Sequence, residues 1–286
     1  MNAKGQSPGT RAWRRFWHSK VAITGFVLLA VVLFLSLAAP WIAPHEPNAQ
    51  NWFRRLEGPS MEYPFGTDEF GRCVLSRVLY GGRVSLLSGL LPVLFGASIG
   101  TTLGVWSGYA GGKVDSLIMR SMDVLLSLPS IFLALAIVGT LGPGWRNAVL
   151  AVSVVSIPAY ARIVRSKTLS LREMEYVEAA RAIGASEVRI LRRYILPNTM
   201  SPIIVQSSLS IGFAILSLAG LSFLGLGVQP PTSDWGEMLS SGRRFLPDSW
   251  WLQVFPGLFI MFVVLGANLM GDGLRDALDP KGRPTG

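Results

Sequence analysis

Four features of the chain invite a chemical reading. GASIG at Gly96–Gly100 has the form G-x-S-x-G, which would make Ser98 a nucleophile. A serine nucleophile needs a base, and the two histidines, His18 and His45, both fall outside any apolar run. The same stretch carries glycine at 96, 100, 104 and 108, a small-residue stripe along one helix face that lets a second helix approach closely. Packing is the stronger reading, and an intramembrane serine protease is the alternative. Gly112–Lys113 is followed by Val114, where a phosphate-binding loop needs Ser or Thr to hold magnesium, so nucleotide hydrolysis by this chain is excluded. The single cysteine, Cys73, can make neither an internal disulfide nor a zinc-type cluster.

The elements that would position these residues are membrane helices. Of 286 residues, 50% are hydrophobic and 15% charged, with a mean hydropathy of +0.43. Soluble domains average about 25% charged residues. Six apolar runs stand out: Val21–Ala43, Val84–Gly108, Met122–Gly142, Asn147–Ala161, Ile203–Leu226 and Leu252–Gly271. Each must be a helix, because a backbone in lipid has to satisfy its own hydrogen bonds. The fourth is short and extends to Val164 with Arg162 at the interface. The first follows basic residues, but its apolar core exceeds a typical signal-peptide h-region and no clean cleavage site follows, which favours an uncleaved anchor. Pro129 and Pro158 lie within the third and fourth runs, as tolerated membrane prolines or as hinges.

Charge sets the orientation. With the N-terminus inside, 18 Lys and Arg fall on the cytoplasmic side and 8 outside, as the positive-inside rule requires. The net charge of +9 therefore reflects topology and not nucleic acid. Both termini are expected in the cytoplasm. The interiors of the runs hold no charge, since Asp123, Arg146, Arg162 and Asp272 all lie at ends. That argues against an ion-coupled transporter, which usually needs a buried carboxylate, although backbone carbonyls could still bind sodium.

The longest cytoplasmic loop, 165–202, carries the most information. Glu175–Ile183 is rich in helix formers, and Gly184 suits a left-handed cap. Ser186 can cap a second, basic helix with Arg189, Arg192 and Arg193, expected to stop at Pro197. In isolation this resembles a DNA-binding helix-turn-helix, but the flanking spans make groove entry implausible. The small alanines beside Glu178 suit docking against another protein.

EAARAIG at Glu178–Gly184, followed by LPN at Leu196–Asn198, resembles the EAA motif of ABC-importer permeases. Tyr194 replaces the hydrophobic residue usual two places before the LP pair. FGTDEFGRCVLSRVLYGGRVSL at Phe65–Leu86, FLGLGVQPPTSDWGEML at Phe223–Leu239 and NLMGDGLRDALDP at Asn268–Pro280 are similar to the C-type subunit of the dipeptide/oligopeptide/nickel permease group. The resemblance covers nearly the whole chain after residue 12. Cys73 departs from it, standing where relatives commonly have Asp, and reads as a half-buried small residue.

The resemblance implies an all-α polytopic membrane protein of the bacterial inner membrane, with six transmembrane helices and the MetI-like permease fold. It implies a cytoplasmic tail over 1–20, a first helix over 21–43, a periplasmic loop over 44–83, a permease core over 84–272 and a cytoplasmic tail over 273–286. The partners it implies are a second permease, two ATPase subunits that bind ATP and magnesium, and a periplasmic or lipid-anchored solute-binding protein. This chain would hold no cofactor or metal and would do no covalent chemistry. The coupling helix seated on an ATPase would comprise Glu175, Glu178, Ala179, Ala180, Arg181 and Gly184. Cargo would be a di- or oligopeptide, with nickel or another small solute as the alternative within the family.

Three expectations come from the residues themselves. Gln206, Ser207, Ser210 and Ser217 form the densest polar set in any span and are candidates for the translocation path, or for interhelical hydrogen bonds. Asp68 is a candidate cap for an amphipathic surface helix carrying Leu75, Val78 and Leu79. Trp250–Trp251 suits an interfacial aromatic belt in contact with membrane lipid.

Overall fold

The computed structural model describes residues 8–278; the ends of both expected tails, 1–7 and 279–286, lie outside the described residues. Among the described residues the regular structure is helical, apart from one bridge between Thr67 and Cys73. The helices in chain order are α1 (Pro8–His18), α2 (Lys20–Leu37), α3 (Ala39–Ile42), α4 (Val74–Ala110), α5 (Gly112–Leu126), α6 (Ser130–Leu141), α7 (Trp145–Arg172), α8 (Glu175–Ala182), α9 (Glu187–Ile190), α10 (Leu196–Phe223), α11 (Trp235–Gly242) and α12 (Trp251–Leu278). Among the described residues five helical stretches are long and apolar enough to cross a membrane, and six if the bent pair α5–α6 counts as one broken span.

That bend corrects the third run. Met122–Gly142 is not one helix: α5 and α6 meet at 90° across Ser127, Leu128 and Pro129. A proline disfavours helical geometry in the residue before it and supplies no donor, so Pro129 starts a new helix from an extended conformation (φ −55°, ψ 135°). Pro197 does the opposite. The basic helix does not stop there, and Glu187–Phe223 runs on as one 37-residue element. A π turn at Leu191–Ile195, closed by the Leu196 N–H on the Leu191 carbonyl, precedes the proline, which then falls in the first turn of α10. The π turn shifts the hydrogen-bond register just before the proline, so its missing donor interrupts the ladder without ending the helix.

The expected surface helix near Leu75 is the beginning of the 37-residue α4, and Val78 and Leu79 are buried. Asp68 does not cap it; Cys73 holds that position and is 1% exposed, more deeply buried than expected. Asp68 instead accepts from the Phe70 and Arg72 N–H groups and from the Arg72 side chain.

Two cores stack along the bundle. One joins Val32, Val74, Val78, Ile215, Trp235, Met238, Trp251 and Val263, from α2, α4, α10, α11 and α12. The other joins Val93, Val138, Val149, Val152, Ala214 and Leu218, from α4, α6, α7 and α10. The glycine stripe packs α4 onto α7: a Cβ on Gly100 would lie 2.7 Å from the Ile157 carbonyl oxygen, too close to be accommodated. Gly25 does the same between α2 and α12, where a Cβ would lie 2.4 Å from the Met270 nitrogen.

Candidate functional site

Helix α8 is built to stand off the bundle. Glu175 and Glu178 lie in its first turn, where the helix dipole favours negative charge, and three of the other six residues are alanine. Gly184, at φ +80°, ends it with paired bonds: its own N–H reaches the Arg181 carbonyl at 3.0 Å, and the Ala185 N–H reaches the Ala180 carbonyl at 3.0 Å. This is a Schellman closure, which wants glycine at the left-handed position. Val177 and Ala180 turn inward and bury against Leu171, Ile190 and Ile195, with Val105 and Tyr109 of α4 alongside. Ser186 stands at the cap position of α9 without making the expected side-chain bond.

The opposite face is open. Glu175, Glu178, Ala179, Arg181 and Gly184 are exposed, as are Met174, Tyr176, Ile183 and Val188. Ile183, at 84% exposure, projects the most of these apolar groups. Of the six residues read from the sequence as a docking set, Ala180 alone faces inward. One side-chain contact ties α8 to α4, and two more join the elements around it, α4 to α9 and α7 to α4. Arg181 Nη2 donates to the Tyr109 hydroxyl at 3.2 Å, the hydroxyl donates to Glu187, and Arg172 Nη1 donates to the Gly108 carbonyl at 3.1 Å. Two helical turns back along α7, Arg165 pairs with Asp115, which also accepts from Ser107. Tyr109 has no sequence signal that connects it to residues more than 70 positions away.

The four polar residues of α10 are half-buried. Tyr160 of α7 donates to Ser207 at 3.2 Å, an interhelical bond, and Gln206 donates to Ser210 at 3.1 Å one turn away. Ser217 shares the face of Ser210 at helical spacing. Ser98 is exposed on α4, and its hydroxyl donates to the Leu94 carbonyl at 2.7 Å.

At the other end of the bundle lies a buried charge cluster that sequence reasoning missed. Arg77, 1% exposed, sits 3.2 Å from Glu237 and 3.6 Å from Asp68 and donates to the Pro231 carbonyl. Asp234 caps α11 and accepts from Ser85 at 2.6 Å. Burial pushes the Glu237 carboxyl above the usual range, with Arg77 opposing. Burial does the same to Asp234, against the hydrogen bond from Ser85. Trp235 donates to the Val78 carbonyl, and Trp251 donates to the Thr67 carbonyl at 3.0 Å. Trp251 is thus a core residue, and only Trp250, 52% exposed, fits an aromatic belt.

Known proteins resemble this chain. The N-terminal TM domain of oligopeptide transport permease C matches residues 7–59. The "Dipeptide transport system permease protein DppC" of Alkalihalophilus pseudofirmus is 47% identical over 275 residues, covering 96% of this chain and 90% of that protein. The "Di/tripeptide transport system permease protein DppC" of Pseudomonas aeruginosa is 46% identical, covering 96% and 93%. The "Glutathione transport system permease protein GsiD" of Escherichia coli is 47% identical, covering 96% and 91%. In shape, the inward-facing MetNI methionine ABC transporter matches with a TM-score of 0.57 at 20% identity, over 71% of this chain and 96% of that one, which supports the MetI-like fold. These relatives are transport permeases and give the Ser98 protease reading no support. A further match, to the binding-protein-dependent transport system inner membrane component family, spans residues 100–284, and the chain belongs to that family.

Proposed function

We propose that this ABC-importer permease pairs with a second, homologous permease and two ATPase subunits, and that α8 is the coupling helix seated on one ATPase. The observation that carries this reading is the geometry of α8: one face is fixed to α4, α7 and α9 by Val177 and Ala180, and the other offers Glu175, Glu178, Ala179, Arg181 and Gly184 together with exposed Ile183. The lysine and arginine distribution supports an orientation with α8 and both termini in the cytoplasm of a bacterial inner membrane. ATP and magnesium are bound by the partner ATPases. Their closure pulls α8, and through Tyr109 the end of α4, opening a path between the two permeases. A solute-binding protein delivers the cargo, and the names of the relatives support di- or oligopeptides. Gln206, Ser207, Ser210 and Ser217 line the path.

Two substitutions test the coupling helix. Glu178→Lys reverses the charge at the proposed contact, where losing a charge pair costs about 2–5 kcal/mol. Gly184→Val strains a left-handed backbone by roughly 1–2 kcal/mol, while nothing lies within 4 Å of its Cβ, so no neighbour is pushed aside. Gly184→Asn, which tolerates that conformation, should keep most activity. Both damaging variants should insert normally yet lose co-purifying ATPase and stimulated ATP hydrolysis. Parental hydrolysis rates in both would remove α8 from the coupling role.

A further inference from the structure

We propose that α1 is an in-plane anchor that binds anionic phospholipid headgroups at the cytoplasmic surface. Only the side of the membrane rests on the orientation proposed above. Trp13, Phe16 and Trp17 share one face of α1 at i, i+3 and i+4, while Arg14, Arg15 and His18 lie on the other. The apolar face is divided between two environments. Phe16 is 7% exposed and packs on Ala22, Met270, Leu274 and Ala277, which fixes α1 to the ends of α2 and α12. Trp13 is 66% exposed and Trp17 38% exposed.

The exposed tryptophans continue a lipid-facing surface. Trp13 and Trp17 meet edge to face at 5.6 Å, and Trp17 meets Phe26 of α2 at 5.4 Å. Phe26 in turn belongs to the exposed apolar face of α2, with Val27, Val31 and Phe34. Along one straight helix, positions nine apart are separated by about 13 Å. Extended Ser19, capping α2 through the Ala22 N–H, breaks the axis and brings α1 back beside the span. An amphipathic helix with tryptophan on one face and arginine on the other, beside the mouth of a span, fits the headgroup boundary of a bilayer. Arg14 is exposed on the polar face and Lys20 follows at the start of α2, which makes the matching lipid charge negative.

Spin-label depth measurements on the assembled transporter in nanodiscs test this. Single cysteines are placed at 13, 14, 17 and 18 in a Cys73→Ala background and labelled with a nitroxide. In discs containing phosphatidylglycerol, oxygen should dominate collisions at 13 and 17, and a water-soluble nickel complex at 14 and 18. Arg14→Gln should raise the phosphatidylglycerol fraction needed for half-maximal burial of label 13 several-fold, because neutralising one arginine weakens attraction to an anionic surface roughly fivefold. Nickel dominance at 13 and 17 would overturn the proposal by showing a helix off the membrane. Exclusion of both reagents there would overturn it by showing a protein partner, and identical depth in pure phosphatidylcholine would remove the anionic specificity. A cysteine at 18 that reacts with an impermeant maleimide in spheroplasts would overturn the cytoplasmic placement and the orientation, with the depth result unaffected.

Discussion

The two ends of the bundle are held together by opposite means. At the α11 end, Arg77, Asp68, Arg72, Asp234 and Glu237 are all buried, and two tryptophan N–H groups close on backbone carbonyls. At the α8 end, the Arg181–Glu187 and Arg172–Glu173 pairs are largely exposed, and the apolar core beneath α8 is small. Buried charges are unforgiving once a partner is lost, whereas exposed pairs contribute little. The first end is therefore a fixed scaffold. The second is a surface whose internal contacts can yield, which suits the docking role proposed for α8.

The comparison breaks if the scaffold tolerates damage, and Cys73 reports on that. It is 1% exposed, at the start of α4 between Asp68 and Arg77. Arg77→Met would leave Glu237 buried without its guanidinium, at a cost of about 3–5 kcal/mol. Labelling of Cys73 by a maleimide in detergent should accelerate by ~100-fold or more on that cost. Arg77→Met combined with Glu237→Leu should recover most of the protection, because Asp68 keeps Arg72 at 2.6 Å. Unchanged labelling in the single variant would show that the cluster does not hold this end.

A smaller effect separates the adjacent tryptophans. Trp251→Phe leaves the buried Thr67 carbonyl without its donor, at about 1–3 kcal/mol. Trp250→Phe changes an exposed ring and should stay within about 0.5 kcal/mol. Cys73 labelling should accelerate clearly in the first and hardly in the second. Equal rates would return Trp251 to the aromatic belt.

What the sequence discloses follows the range of the forces involved. The spans are legible because apolar length is local, and the Gly184 turn because its chemistry lies within one helix end. The 90° break at Pro129 is only half legible: proline signals disruption, but whether a span kinks or divides depends on what α5 and α6 each pack against, Leu103 and Ile157 for one and Val149 and Leu218 for the other. Pro197 misleads for the same reason, since the π turn before it absorbs the missing donor. Arg77 and Glu237 lie 160 residues apart, and Trp251 and Thr67 lie 184 apart. No periodicity carries such pairings. For the α8 site, the exposed set was readable apart from inward-facing Ala180, while Tyr109 became visible only with the fold.

The smallest expected effect lies at Tyr109. Its hydroxyl stands between Arg181 and Glu187, whose side chains are 49% and 61% exposed. Tyr109→Phe keeps the ring against the α8 core and removes only the hydroxyl, and exposed polar pairs of this kind are worth about 0–1 kcal/mol. Uptake by the assembled transporter should fall by less than about fivefold, a factor that corresponds to roughly 1 kcal/mol. Raising salt should bring the parental protein toward the variant, because exposed charges are screened. The charge cluster at the other end should show no such salt dependence. If Tyr109→Phe abolished transport as fully as Gly184→Val, the hydroxyl would be carrying motion from α8 into α4. Exposed contacts at this end would then be as indispensable as the buried ones opposite, and the contrast between scaffold and docking surface would fail.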